Sequence, residues 1–172
     1  VLDIITEVGP NNIGSYECGT IYSGVTIEDI RSSMPETPRV RCCFDSKEKM
    51  FEVLRKVKEL DLGLSITVSG LNEDILDMCQ KLDIHPHSVN YSLGVHGATE
   101  KLPPEEFLEI ITMCGHGMIS RDLVAKEVEA VKQGRKTPYD AAVTIAQPCV
   151  CGIFNVGRAE RLLQKYVPEK DN

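Results

Sequence analysis

The chain reads as an α+β or α/β protein. A βαβ-type or ferredoxin-like N-terminal part, residues 1–100, is expected to pack with an antiparallel helical part, residues 101–172, that carries a cysteine cluster. Three observations predict this. Apolar β-branched runs alternate with helical stripes through the first part. From Pro103 onward only helical patterns appear. Two compact groups of soft ligands, Cys114-Gly115-His116-Gly117 and Pro148-Cys149-Val150-Cys151-Gly152, fall in gaps between those helices.

Val1 to Thr6 is apolar and β-branched, which predicts a strand ending in the turn Gly9-Pro10-Asn11-Asn12. A second extended piece is expected from Tyr16 to Tyr22, carrying Cys18. Thr26 is an N-cap for a short helix with Glu28 and Asp29 in its first turn, closed by Pro35 and Pro38. Val40 to Phe44 reads as a strand. Asp45 or Ser46 then caps a helix whose Met50, Phe51, Val53, Leu54, Val57 and Leu60 form one apolar stripe, ending by Gly63. Leu64 to Val68 predicts a strand, Glu73 to Leu82 a helix, and Ser88 to Val95 a further strand.

Pro103-Pro104-Glu105-Glu106 starts the first C-terminal helix, because proline is tolerated at the first turn and carboxylates favour the positive end of the helix dipole. Ser120 caps a helix bearing Leu123, Val124, Val128 and Val131, closed by Gly134. Thr137-Pro138-Tyr139-Asp140 opens a third helix as a capping box. Asn155 caps the last, with Val156, Ala159, Leu162, Leu163 and Tyr166 inward and a charged tail after Pro168. If these four helices run up-down-up-down, the first and third junctions lie at one end, and Cys114 and His116 meet Cys149 and Cys151.

Composition limits the function classes. The 172 residues are 42% hydrophobic and 26% charged, enough for a hydrophobic core, and no apolar run approaches the roughly 18–20 residues of a bilayer span. The net charge of −7 and the absence of tryptophan argue against nucleic acid as a partner. The acidic start, Val1 to Glu7, does not resemble a secretory signal. Seven cysteines, an odd number, suit a reducing cytoplasm and metal or redox chemistry better than a disulfide framework.

Thiolates select zinc, cuprous copper or iron–sulfur clusters. Zinc would take Cys114, His116, Cys149 and Cys151, but one-residue spacers strain two ligands on one small ion. An iron–sulfur cluster, expected as [4Fe–4S], would take Cys114, Cys149 and Cys151, with Cys18, Cys42 or Cys43 as a fourth. The leading expectation is therefore an iron–sulfur protein in electron transfer or in a redox enzyme, serving a redox partner or small-molecule substrate. A zinc-stabilised structural or interaction module is the alternative. A metal-free thiol oxidoreductase using Cys149 and Cys151 is the third.

Cys114 also has the spacing of a core residue with Phe107, Ile110 and Ile111, and Cys79 reads as core. Cys42 and Cys43, adjacent on a strand, face opposite ways. His96, at the C-terminal end of its expected strand, and Arg158, in the first turn of the last helix, are candidate cofactor- or anion-binding residues. Gly115 to Ser120 lacks the last glycine of a dinucleotide loop, and Gly9 to Gly14 has Ser15 where a phosphate loop needs lysine.

Overall fold

A computed structural model describes residues 1–36 and 39–168. Pro38, expected to help close the second helix, and the tail beyond Pro168 lie outside the described residues.

The chain opens with a helix, α1 (Leu2–Val8), where the β-branched composition predicts a strand. Leu2 and Ile5 lie three apart on one buried face, Thr6 donates its hydroxyl to Leu2 O at 2.8 Å, and Gly9 closes the helix at φ +81. The apolar face packs against α3 (Lys47–Leu60), so burial on a neighbour outweighs β propensity. Strand β1 (Asn12–Ser15) follows, then the two-residue β2 (Gly19–Thr20), where one extended piece from Tyr16 to Tyr22 was expected. Ile21–Ser23 turn as a 3₁₀ helix capped by Thr20.

Thr26 caps α2 (Ile27–Ser32) by accepting from the Asp29 N–H. Strand β3 (Arg41–Cys43) pairs antiparallel with β1 in the register Asn12–Cys43, Ile13–Cys42 and Gly14–Arg41, and β1 pairs antiparallel with β2. The sheet order β2-β1-β3 with both pairings antiparallel makes the chain an α+β protein. Ser46 caps α3, and Asp61, at φ 44, ends it.

Asn72–Lys81 form α4. Neither Leu64 to Val68 nor Ser88 to Val95 is a strand. Both segments have alternating apolar residues, but no described strand pairs with them, and Leu64, Ile66, Tyr91, Leu93 and Val95 are exposed. Strand propensity alone does not make a strand; a ladder partner must satisfy the backbone.

The four C-terminal helices begin at their expected caps: α5 (Glu105–Ile111), α6 (Arg121–Lys132), α7 (Pro138–Ala146) and α8 (Val156–Leu163). Ser120, Thr137 and Asn155 each accept an N–H three residues on, and Pro138 occupies the first turn of α7. Helix α5 packs on α6, α6 on α7, α7 on α8, and α8 back on α5. Their core includes Ile110, Val124, Val128, Ile145, Phe154 and Leu163. A second core gathers Leu2, Ile5, Ile13, Ile30 and Val53 around α1, α3 and one face of the sheet. Among the described residues no helix is long and apolar enough to cross a membrane.

The sheet lies between the two cores. Strand β1 is buried along its whole length, and alternation sends Ile13 to the N-terminal core. Its neighbours Asn12 and Gly14 face the loop between α7 and α8. The Asn12 side-chain amide donates to Phe154 O at 3.0 Å, and a Cβ on Gly14 would meet Val150 O at 2.9 Å.

Candidate metal centre

The loop after α7 is a tight turn. The Cys149 N–H donates to Ala146 O at 2.9 Å and the Gly152 N–H to Cys149 O at 3.2 Å. Gly152, at φ +79, then passes so close to β1 that a Cβ there would sit 2.3 Å from the Gly14 nitrogen. Only a residue with no side chain fits that conformation and that gap. The turn is thereby pinned to the sheet, with Cys149 and Cys151 both 1% exposed and their sulfurs 3.9 Å apart.

The loop after α5 arrives from the other side. Cys114 is buried, and Gly117, at φ +67, turns the chain just beyond His116. Cys114 packs in the same buried core as Cys149, and His116 Nδ1 lies 3.7 Å from the Cys151 sulfur. The first and third junctions of the helical part therefore do meet. The contacts run from Cys149 to Cys151 and on to His116, with Cys114 buried in the same core. Among the described residues no group of three or more His, Cys, Asp or Glu side chains is arranged as a ready cage for a metal ion.

His116 is held from its far side. Its Nε2 is 2.6 Å from the Tyr16 hydroxyl, and the two rings meet edge-to-face with centroids 5.6 Å apart. The Arg41 guanidinium sits 4.4 Å over the Tyr16 ring. Arg41 is fixed by its pairing opposite Gly14, so the sheet carries Tyr16 and Tyr16 meets His116. No local pattern assigned Tyr16 or Arg41 a role in the site or hinted at the close approach of Gly14 and Gly152, since each acts through a contact distant in sequence.

Burial dominates the thiol electrostatics. It pushes the Cys149 thiol up to about 12, with the neighbouring Cys114 and Cys151 adding to the rise. A hydrogen bond from the Phe154 backbone opposes it. Cys42 and Cys43 face opposite ways, as adjacent strand residues must: Cys42 packs in the N-terminal core and Cys43 donates to Phe154 O at 3.5 Å. Burial raises Cys42 to about 11 and Cys43 to about 12, with Cys42 and more weakly Cys151 contributing to the latter.

The remaining candidates lie apart. Cys18 packs in the N-terminal core and accepts from the Ser33 hydroxyl at 3.3 Å; no described contact joins it to the other cysteines. Cys79 is buried in α4. His96 is exposed, with Nε2 2.7 Å from Leu93 O, in a segment that forms no strand. Arg158 is exposed in the first turn of α8, its backbone N–H engaged by the Asn155 cap. Neither contacts the cysteine chain.

A donor set of three thiols and one imidazole suits a soft or borderline cation. With Zn–S near 2.3 Å and Zn–N near 2.0 Å, tetrahedral geometry puts sulfurs about 3.8 Å apart and sulfur and nitrogen about 3.6 Å apart. The Cys149–Cys151 separation of 3.9 Å and the Cys151–His116 separation of 3.7 Å match those edges. The one-residue spacer is therefore no obstacle, because the turn already places both sulfurs at chelating distance.

No protein-family model, curated protein or solved structure matches the chain.

Proposed function

We propose that the chain is a zinc-stabilised structural or interaction module, its ion held by Cys114, His116, Cys149 and Cys151. The observation that carries this reading is the pair of separations at Cys151, 3.9 Å to the Cys149 sulfur and 3.7 Å to His116 Nδ1. The three cysteines are buried and His116 is exposed, and four protein ligands would leave no open position, as in a structural site. The ion would fasten the α5–α6 loop to the α7–α8 turn, which is itself fixed on the sheet, and its binding free energy would add to that of folding.

The same electrostatics weigh against a metal-free thiol oxidoreductase. Exchange chemistry needs a thiolate, and a Cys149 thiol raised to about 12 is protonated at neutral pH. A coordinated cation deprotonates such a thiol outright.

Iron–sulfur binding is the second reading. The observation favouring it is Cys43, which faces the α7–α8 loop and would join Cys114, Cys149 and Cys151 as a fourth thiol in place of Cys18. In that form the chain would pass electrons to a redox partner or serve a redox enzyme acting on a small molecule. Seven unpaired thiols suit a reducing compartment, so the cytoplasm is the proposed location under either reading.

Purification without oxygen, followed by elemental analysis, tests the proposal. Zinc at about one ion per chain in a colourless protein supports the structural module. Brown protein with dithionite-bleachable absorbance and bound iron supports the cluster. Protein that takes up neither metal sinks both.

A further inference from the structure

We infer that Tyr16 is a positioning residue for the metal centre: its hydroxyl holds Nε2 of His116 and so directs Nδ1 toward Cys151. The inference rests on the metal reading for its consequence, but its geometry stands by itself.

A histidine that ligates a metal through one ring nitrogen normally bonds through the other to a fixed partner, which sets both tautomer and ring orientation. His116 has both halves of that arrangement. Nδ1 lies 3.7 Å from the Cys151 sulfur, and Nε2 lies 2.6 Å from the Tyr16 hydroxyl. His116 is exposed on a glycine-flanked loop, and its ring meets the Tyr16 ring edge-to-face. Tyr16 is itself about half exposed, at 47%, but is tied to the sheet. It directly follows β1, and Arg41, paired opposite Gly14 on β3, sits 4.4 Å over its ring. Position is thus transmitted from the sheet to Tyr16, from Tyr16 to His116, and from His116 to the thiols.

The protons must be arranged to match. With an ion at Nδ1, that nitrogen supplies a lone pair, so Nε2 carries the hydrogen and donates it to the phenol oxygen. The phenol then keeps its own hydrogen for solvent. Were the phenol the donor to a neutral ring, Nδ1 would carry the hydrogen and be closed to metal.

The test is Tyr16→Phe, which removes one oxygen and keeps the ring beneath Arg41. Two readouts are taken on the full chain. In the metal-free protein, ¹⁵N NMR of the His116 ring should report a hydrogen-bonded Nε2 that the variant loses, while circular dichroism and melting temperature stay unchanged. Zinc titration should then show affinity about 10–100-fold weaker in the variant. Identical ring signals in the two proteins would overturn the inference even if neither bound zinc. Equal zinc affinities would overturn it even if the ring signals differed. A wild-type protein that bound no zinc but showed the ring signal lost in Tyr16→Phe would support the positioning role and sink the zinc reading.

Discussion

His116 Nδ1 and the Cys151 sulfur lie 3.7 Å apart although 35 residues separate them in the chain. That distance lies within hydrogen-bond reach of a thiol and also equals the sulfur–nitrogen edge that the proposed zinc site would have. Replacing Cys151 with serine should therefore abolish stoichiometric zinc, whereas Cys79→Ser and Cys18→Ser, at sites away from the cluster, should retain it. Elemental analysis of the three variants checks this, provided each melts cooperatively.

Zinc uptake at neutral pH should release about three protons per ion, because three thiols must give theirs up and the histidine binds neutral. Burial holds Cys149 protonated, its thiol pushed up to about 12. Titration in weakly buffered solution with a pH indicator measures the count. Release of fewer than two protons would remove Cys114, Cys149 and Cys151 as a ligand set.

The metal-free protein should lose stability in alkali. Cys42 at about 11 and Cys43 and Cys149 at about 12 stand above the ordinary thiol value of 9.0. Folding thus favours their protonated forms, and the unfolded chain surrenders these protons first. The stabilisation is fully present below about pH 9 and is lost as the pH climbs through 11 to 12. Urea midpoints measured between pH 8 and pH 11 should fall, and a flat profile would contradict the burial of these thiols.

Gly152→Ala should cost at least ~2 kcal/mol, combining a left-handed backbone with a Cβ 2.3 Å from the Gly14 nitrogen. Gly9→Ala has a similar φ of +81 and nothing within 4 Å, so it should cost only about 1 kcal/mol. The difference between the two urea denaturation curves isolates the contact between the α7–α8 turn and the sheet.

Lys136→Met should destabilise by about 2 kcal/mol, discounted because Lys136 remains a third exposed. Its ammonium lies 2.6 Å from the carboxylate of Glu127, which is 1% exposed, and 2.9 Å from the Thr144 hydroxyl. Glu127→Leu combined with Lys136→Met should recover most of the loss, since no buried charge is then left unpaired. Thermal melts of both proteins decide it.

What the sequence revealed divides along physical lines. Helix starts in the C-terminal part were legible at Ser120, Thr137 and Asn155 because capping is local chemistry. The meeting of Cys114 and His116 with Cys149 and Cys151 was legible too, since it needs only an alternating helix path. Where an element depended on its neighbours, local signals misled. Leu2 and Ile5 carry strand propensity into a helix because α3 offers them a surface. Leu64 to Val68 and Ser88 to Val95 have the strand pattern without a strand to pair with. Tyr16 gave no signal at all: it reaches His116 across 100 residues, through a sheet register that spacing alone does not reveal.

The most direct measurement is the metal content of full-length protein purified anaerobically, compared with the Cys149→Ser and Cys151→Ser double variant. About one zinc per wild-type chain, lost in the variant, is the predicted result. A wild-type protein that holds no metal, or equal metal in both proteins, would contradict a centre built on these residues.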